Sequence, residues 1–299
     1  MTKSFADIRE DLLLEEYLEE KQVIVGKGSK YNQIVFLAGG AGSGKGFSLA
    51  NFMQGEKFKV RDVDEWKRLI LKINNIKREN PDLLNLDLRN PDDVFKLHKH
   101  VEELNLKDKT LSLLLADVAK GRLPNIVFDV TMKKVGHITD VLPSLLSVGY
   151  EPKDIHLVWV LTDYSVAVKQ NKSRSRVVPD DILLQTHEGA AKTVLGFIEG
   201  GLPSGMDGSV HVIMGGKEHT VFYTDQQGNP IKNAKGNLTV KDFEYTTVKK
   251  EGKPMLRDIK KGPGGQLQGA AIKQKLYDMI MKKIPRGKTL SQLMGMKDK

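Results

Sequence analysis

Residues 34–46 of the chain read IVFLAGGAGSGKG. The first five predict a buried strand, and the apolar spacing of residues 47–53 predicts a helix directly after the glycines. The pattern G-x-x-x-x-G-K of a phosphate-binding loop is met by Gly39, Gly44 and Lys45. Glycines allow backbone angles that are closed to other residues, and they let several N–H groups point at one phosphate. A glycine-rich turn is the alternative, but the flanking strand and helix favour a phosphate-binding loop.

The residue after the lysine departs from the common form of this loop. A Ser or Thr usually follows the lysine and holds Mg²⁺, whereas here Gly46 follows it and Ser48 is the first hydroxyl. The loop resembles that of the adenylate kinases, where glycine also follows the lysine and a threonine comes next; Phe47 takes that threonine's place. The resemblance implies that the metal is held largely through water and phosphate oxygens. The predicted nucleotide contacts are Gly40, Ala41, Gly42, Ser43, Gly44, Lys45, Gly46, Phe47 and Ser48.

The composition predicts a soluble protein with one large core and an appendage. Of the 299 residues, 39% are hydrophobic and 28% charged, and no run approaches the ~20 apolar residues that a membrane span needs. The absence of cysteine excludes disulfides, thiolate metal sites and cysteine catalysis. A secretion signal begins with basic residues followed by an apolar run, whereas the first residues of this chain are acidic. We therefore expect no secretion signal, no membrane partner and a cytoplasmic location.

The net charge of +9 is concentrated in the C-terminal part of the chain. Residues 230–299 contain 17 Lys and Arg against 6 Asp and Glu, a net charge of +11, so the first 229 residues carry −2. Such asymmetry is typical of a basic surface that meets an anionic polymer, and it predicts a nucleic-acid partner. Few aromatic residues stand among these lysines, so a solubilising lysine-rich surface is the alternative.

Strands and helices alternate along the chain at short intervals. This alternation predicts an α/β fold of three layers, with a parallel central sheet covered on both faces. The predicted strands are 33–38, 58–62, 124–131 and 155–161, followed by 210–214 and 220–224, one of which we expect to complete the sheet. The predicted helices are 4–18, 47–53, 137–149 and 270–283, and the last of these could dock on the core, bind a partner or lie near nucleic acid.

Carboxylates follow the second and third predicted strands. Ligands of open α/β sheets bind at the carboxyl ends of the strands, where Asp62, Asp64 and Asp129 are expected. Asp62 or Asp64 could accept the proton of an attacking hydroxyl, while Asp64 could instead cap the following helix. Asp129 fits the carboxylate that orients Mg²⁺ or its water, and an ordinary strand end is the alternative.

A basic stretch at residues 168–181 precedes an acidic helix start. Arginines brought over a terminal phosphate stabilise the charge that develops on its oxygens, with effects of ~10³–10⁵ in rate for an arginine finger. Arg174 and Arg176 are the candidates, and a solvated basic helix end is the alternative. His187 on the following helix is interpreted as a structural residue.

These segments resemble the zeta-toxin and phage polynucleotide-kinase group of P-loop kinases. That group carries an aspartate, an acidic or small residue, an aromatic and a basic residue, which residues 64–67 (DEWK) match with lysine in place of the usual arginine. Asp129 and Thr131 reproduce its acidic residue, spacer and threonine. The order of basic helix, Arg-x-Arg, Val-Val-Pro and acidic helix start resembles its lid.

The resemblance covers about residues 30–225 and implies roles for the matching side chains. Asp64 would be the general base, Lys67 an acceptor contact together with Asp62 and Thr131, and Asp129 would help to place Mg²⁺. The implied organisation is an N-terminal helix and linker (1–29), a kinase core (30–225) with a helical insertion (76–121) and a lid (about 168–181), and a basic extension (226–299).

The expected activity is transfer of the γ-phosphate of ATP or GTP, with Mg²⁺, to a hydroxyl group. The basic C-terminal third favours a nucleic-acid acceptor, either a 5′-hydroxyl or a hydroxymethylated base, which would place the protein in the cytoplasm of a host cell if it is phage-encoded. A nucleotide or nucleotide sugar is the alternative acceptor. A nucleotide-binding module without turnover is the alternative of a different class, and the oligomeric state stays open.

Overall fold

The computed structural model describes residues 23, 25, 31–53, 57–62, 71–72, 78–105, 108–109, 111–112, 115, 123–233, 236, 238–255 and 269–284. Several predicted features lie outside these residues. They are the N-terminal helix at 4–18, the acceptor-site candidates Asp64 and Lys67, and parts of the insertion at 76–121.

A six-stranded sheet occupies the centre of the described part of the chain. The strands within the described residues are β1 (Ile34–Ala38), β2 (Lys59–Asp62), β3 (Ile126–Val130), β4 (Ile155–Thr162), β5 (Val210–Gly215), β6 (Thr220–Phe222), β7 (Val240–Phe243) and β8 (Tyr245–Lys249). The spatial order in the main sheet is β2-β3-β1-β4-β5-β8. Its first five strands are parallel, as predicted, whereas β8 is an unpredicted antiparallel strand beside β5.

Helices precede or follow most of these strands. They are α1 (Lys45–Phe52), α2 (Pro91–Glu103), α3 (Gly136–Thr139), α4 (Leu142–Ser147), α5 (Tyr164–Lys172), α6 (Asp180–Gly200) and α7 (Gly269–Lys283), with 3-10 turns at Pro81–Leu83, Pro152–Asp154 and Lys217–His219. The single helix predicted at 137–149 is wrong, because the chain forms α3 and α4 there. Pro143 stands in the first turn of α4, where a residue without an N–H is tolerated but could not continue a helix from α3.

The sheet is covered on both faces, which gives the predicted three layers. On β1, Ile34 and Phe36 pack with side chains of α3, α4 and α6, while Val35 and Leu37 pack with α1 and β7. This alternation follows from the period of two along a strand. All eight residues of β4 are buried, as expected for a parallel strand with helices on either side.

The C-terminal helix α7 docks on the core. Leu276 and Ile280 are fully buried in the cluster that contains the side chains of β4 and α6. Its predicted range is confirmed, and the structure answers the question that the sequence left open about its apolar face. No helix within the described ranges is long and apolar enough to cross a membrane.

The strand predicted at 220–224 does not join the main sheet. Gly216, with a φ of +130°, and the 3-10 turn at Lys217–His219 redirect the chain after β5. Strand β6 then pairs with β7 in a separate two-stranded sheet. Phe243 of β7 stacks on Phe52 of α1 at 4.0 Å, so this small sheet packs beside the first helix of the core.

Two buried histidines lie on the neighbouring strands β4 and β5. His156 accepts a hydrogen bond at Nδ1 from the backbone N–H of Ser209 (2.8 Å) and donates from Nε2 to Gln33 Oε1 (2.8 Å). Burial, with the charges of His211 and Lys249, lowers the pKa of His156 to about 3. Burial also lowers the pKa of His211 to about 4. Both imidazoles are therefore neutral at pH 7.

These two histidines should make the fold sensitive to mild acid. In the unfolded chain a histidine titrates near pH 6.5, so between about pH 6.5 and 4 the unfolded state binds more protons and stability falls as the pH falls. Each histidine contributes about 1.4 kcal/mol per pH unit in this window. We expect His211→Gln to reduce the slope of unfolding free energy against pH by about that amount, measured by urea unfolding between pH 6 and 4.5.

The control for this measurement is His98→Gln, because the His98 side chain on α2 is 48% exposed. Because His98 is exposed and its partner Glu102 is exposed too, that variant should change the slope much less than His211→Gln does. An unchanged slope in His211→Gln would contradict the assignment of His211 as a buried neutral group.

Candidate functional site

The glycine-rich segment forms a tight loop between β1 and α1. Gly42 and Gly44 have φ values of +72° and +86°, a left-handed conformation in which a side chain would be strained. Gly44 is the N-cap of α1, so the first amides of that helix and its positive end face the loop. A Cβ added to Gly44 or Gly46 would meet no atom within 4 Å, which leaves the mouth of the loop open to a ligand.

Three residues with charged side chains lie at the carboxyl edge of the sheet beside this loop. Lys45 Nζ donates a hydrogen bond to the carbonyl oxygen of Gly39 (2.8 Å) and lies 3.5 Å from Asp129 Oδ1. Asp62 is the register partner of Asp129 on the neighbouring strand β2. The loop lysine and two carboxylates predicted as ligand contacts are thus brought together by β2, β3 and α1.

A buried hydroxyl in the loop indicates that a ligand group belongs there. Ser43 Oγ is buried, and the structure gives it no hydrogen-bond partner, whereas the carbonyl oxygen of Ser43 accepts a hydrogen bond from Thr162 Oγ1 (2.6 Å). Buried polar atoms in native proteins are almost always hydrogen-bonded, so an orphaned one requires an explanation. A phosphate oxygen in the loop would supply the missing acceptor.

Both helices that flank the basic stretch touch the loop. On α6, Thr186 Oγ1 accepts a hydrogen bond from the backbone N–H of Ala41 (3.0 Å), and His187 Nε2 donates to the carbonyl oxygen of Ala41 (2.9 Å). On α5, the carbonyl oxygen of Ala167 would lie 2.7 Å from a Cβ at Gly42. The helices on either side of the predicted lid (about 168–181) therefore both contact the glycine-rich loop.

The turn between α5 and α6 is held in a defined conformation. The side chain of Asn171, at the end of α5, donates to the carbonyl oxygen of Val178 (2.7 Å) and accepts from its N–H (3.0 Å). The N–H of Val177 donates to the carbonyl oxygen of Leu88 in the insertion (3.0 Å). Within this turn Arg174 is half-buried, whereas Arg176 is only 5% exposed.

The other predicted contacts lie in α1 and directly after β3. The ring of Phe47 packs edge-on against Phe52 (5.4 Å) and Phe222 (6.4 Å), and Ser48 is 2% exposed. Thr131 follows β3 and is half-buried. The remaining two candidates, Asp64 and Lys67, lie outside the described residues.

The residues present fit a nucleotide with Mg²⁺. The described ranges contain no group of three or more His, Asp or Glu that could hold a metal by themselves. Mg²⁺ keeps several waters and is commonly bound by one or two carboxylates plus substrate phosphates, so Asp129 with phosphate oxygens is a sufficient donor set. The loop amides, Lys45 and the orphaned Ser43 hydroxyl suit the phosphates themselves.

Three residues of this site were not predicted as site residues from the sequence. Thr162 ends β4, Thr186 lies within α6, and His187 was interpreted as structural. Their hydrogen bonds to the loop join residues 119, 145 and 146 positions apart. No local pattern announces such contacts; only the position of Thr162 at a strand's carboxyl end is a signal that the sequence offers.

No family model matches the chain, and no curated protein matches it. Among solved structures it resembles a chain from the PezAT chromosomal toxin-antitoxin system of Streptococcus pneumoniae, with 14% identity, a TM-score of 0.40 and coverage of 71% of this chain and 78% of that one. It also resembles deoxyadenosine kinase from M. mycoides with bound dATP, with 14% identity, a TM-score of 0.30 and coverage of 60% and 90%.

The fold itself is the predicted one. A glycine-rich loop follows the central strand β1, the strand order is β2-β3-β1-β4-β5, and helices cover both faces of the sheet. This is a three-layer α/β fold with the glycine-rich loop at the carboxyl end of a central parallel strand, as the sequence predicts. The antiparallel β8 and the β6-β7 sheet are additions on the β5 side.

Proposed function

We propose that the protein is an ATP-dependent phosphotransferase that moves the γ-phosphate to a hydroxyl acceptor. The observation that carries this proposal is the approach of Lys45 in the loop to Asp129 (3.5 Å), with Asp62 in register beside Asp129 at the same edge of the sheet. Helices α5 and α6, which flank the predicted lid, contact the same loop. Phosphoryl transfer requires mainly positioning and charge stabilisation, and these elements supply both.

Each residue has a distinct part in this reaction. Lys45, now bonded to the carbonyl oxygen of Gly39 and close to Asp129, would turn its charge to the β- and γ-phosphates. Asp129 would hold Mg²⁺, which neutralises phosphate charge when bound. The acceptor oxygen forms a bond to the γ-phosphorus while the bond to the bridging β–γ oxygen breaks, and Asp64 accepts the acceptor's proton.

The two arginines of the lid differ in how far they are exposed to solvent. Arg176 is only 5% exposed, so its guanidinium is less accessible to a bound phosphate. Arg174 is the more accessible of the two. We therefore assign the phosphate contact to Arg174 and a supporting role to Arg176.

Nucleic acid is the acceptor that the charge distribution favours, with the +11 net charge of residues 230–299 as the support. Among the described lysines of this region, Lys249 Nζ bonds to Asp207 Oδ1 (2.6 Å), Lys283 Nζ lies 2.9 Å from His219 Nε2, and Lys275 Nζ lies 3.6 Å from Glu244 Oε1. These three interact within the fold, and the remaining cations of the region are the candidates for contact with a phosphate backbone. A nucleotide or nucleotide sugar, as in a zeta-toxin-like enzyme, is the smaller acceptor that must be tested beside it.

A nucleotide-binding module without turnover is the second candidate function. It is favoured by Gly46, which lacks the hydroxyl that usually holds Mg²⁺, and by Ser48, whose hydroxyl lies in a side chain that is only 2% exposed. Such a module would use the bound nucleotide to organise an assembly.

The proposed function is tested by incubating the protein with ATP labelled at the γ-phosphate and a panel of acceptors. The panel contains 5′-hydroxyl oligonucleotides, DNA with hydroxymethylated bases, nucleotides and nucleotide sugars. We expect label on one acceptor class, and for an oligonucleotide we expect the KM to rise steeply with salt, because phosphate contacts release counterions.

The remaining outcomes separate the candidates. Label on a nucleotide or nucleotide sugar at a salt-independent KM keeps the kinase and removes the nucleic-acid acceptor. Tight ATP binding with no transfer to any acceptor contradicts the kinase and supports the module.

A further inference from the structure

Helix α6 makes hydrogen bonds to both backbone polar groups of Ala41 in the phosphate loop. The N–H of Ala41 donates to Thr186 Oγ1 (3.0 Å), and its carbonyl oxygen accepts from His187 Nε2 (2.9 Å). The Thr186 hydroxyl donates in turn to the carbonyl oxygen of Leu183 (2.8 Å), which directs its lone pairs toward Ala41. Both backbone polar groups of one loop residue are thus satisfied by consecutive side chains of one helix.

The ring of His187 also closes against the neighbouring loop residue. A Cβ added to Gly40 would lie 2.3 Å from Cδ2 and 2.4 Å from Cγ of His187, so residue 40 must be glycine while the ring stays in place. Burial lowers the pKa of His187, the bond to Ala41 opposes this, and the charge of Lys45 lowers it further. The imidazole is therefore neutral at pH 7, with its proton on Nε2 facing the carbonyl oxygen of Ala41.

His187, on α6, contacts both the loop and helix α5, which precedes the lid. The ring of Tyr164, the first residue of α5, packs edge-on against His187 with centroids 5.6 Å apart. The Tyr164 hydroxyl lies 3.5 Å from the carbonyl oxygen of Asp180, the first residue of α6. The turn that carries Arg174 connects these two helices. The His187 ring therefore contacts both the phosphate loop and the start of the helix that leads into this turn.

We propose that Thr186 and His187 are positioning residues that couple the shape of the phosphate loop to the position of the lid. This inference rests on the proposed function, because it takes residues 39–46 as the phosphate site. A lid whose exit helix is bonded to Ala41 cannot move as a rigid body without moving the loop. Conversely, phosphates that order the loop also fix the base of the turn that carries Arg174.

The first test compares His187→Leu with His187→Gln. Glutamine can donate its amide N–H to the carbonyl oxygen of Ala41, whereas leucine fills similar space and leaves that buried acceptor unpaired. We expect ATP to bind about tenfold more weakly to His187→Leu, a loss comparable to one buried hydrogen bond, and His187→Gln to recover most of that loss. Affinity is measured by calorimetry on variants that unfold in one cooperative transition.

Thr186→Val is the matched second variant, because valine keeps the shape of threonine and removes the acceptor of the Ala41 N–H. It should also weaken ATP binding about tenfold, while Thr186→Ser keeps the hydroxyl and the affinity of the parent protein. Parent-like affinity in both His187→Leu and Thr186→Val would overturn the inference.

The second test is a double-mutant cycle between residues 40 and 187. Gly40→Ala should weaken ATP binding in the parent, because the new Cβ collides with the imidazole. In the His187→Ala background that collision is gone, and we expect the same change to cost at least about tenfold less, the size of coupling that residues in direct contact show. An equal cost in both backgrounds would contradict the placement of the ring over Gly40.

ATP binding by the parent protein distinguishes a failure of this inference from a failure of the proposed function. If the parent does not bind ATP, the proposed function itself fails. If the parent binds ATP and the His187 and Thr186 variants bind it equally well, the phosphate site stands and only the coupling to the lid is wrong.

Discussion

Replacing Lys45 with methionine is expected to reduce phosphate transfer by about 10²–10³-fold, the loss typical when one charge-stabilising donor is removed from an active site. Methionine matches the length and apolar stem of lysine but carries no charge. Lys45 Nζ lies within reach of Gly39, Gly40 and Asp129 at the mouth of the loop, where a phosphate would take the place of the carbonyl oxygens. The measurement is the steady-state rate of phosphate transfer from labelled ATP to the acceptor that the panel identifies.

The matched control is Lys153→Met. Lys153 is 59% exposed, pairs with Glu151 and precedes β4, at the opposite edge of the sheet from the loop. Its replacement should leave transfer unchanged. Transfer at the parental rate in Lys45→Met would contradict the assignment of residues 39–46 as a catalytic phosphate loop.

Asp64→Asn is expected to lower acceptor-stimulated transfer by about 10²–10⁴-fold, the usual contribution of a general base, while ATP affinity stays close to that of the parent. Asparagine cannot take up the acceptor's proton, but it caps a helix as well as aspartate does. The substitution therefore separates the two roles that the sequence leaves open for Asp64. Transfer and ATP affinity are measured on the same preparation.

The companion variant is Asp62→Asn, at the end of β2 beside Asp129. If Asp62→Asn abolishes transfer and Asp64→Asn does not, the base is Asp62, and the role implied by the resemblance is wrong. If Asp64→Asn retains full transfer while Asp62→Asn does too, neither carboxylate is the base. A lowered thermal stability of Asp64→Ala alone would then identify Asp64 as a helix cap.

The central strands and the loop were predictable because their signals are local. Strand β4 is apolar over most of its length because both faces of the sheet are covered, and the loop needs glycines in a fixed order. Strands β7 and β8 have no comparable signal: β7 reads Val240, Lys241, Asp242 and Phe243, which does not alternate between apolar and polar, and only its ends are buried. Such short strands are specified by their partners, here β6 and β5.

The position of a site residue was predictable where that residue directly follows a strand, and it was not predictable where it depends on how distant helices pack. Asp62, Asp129 and Lys45 were expected together because carboxyl ends of parallel strands share one edge. The hold of α6 on Ala41 joins residues about 145 positions apart, and it follows from how α6 packs on the sheet. His187 was interpreted from the sequence as a structural residue. In the fold it bonds to Ala41 and packs on Gly40, so the segment that it supports is the glycine-rich loop.

The central claim is that the loop, the carboxylates and the lid act on one triphosphate. A crystal structure with a non-hydrolysable ATP analogue and Mg²⁺ tests it most directly. The account predicts the β- and γ-phosphates against the loop at residues 42–46 and Lys45, Mg²⁺ beside Asp129, and Arg174 turned toward the γ-phosphate. A nucleotide bound elsewhere, or Lys45 and Arg174 facing separate cavities in that complex, would contradict it.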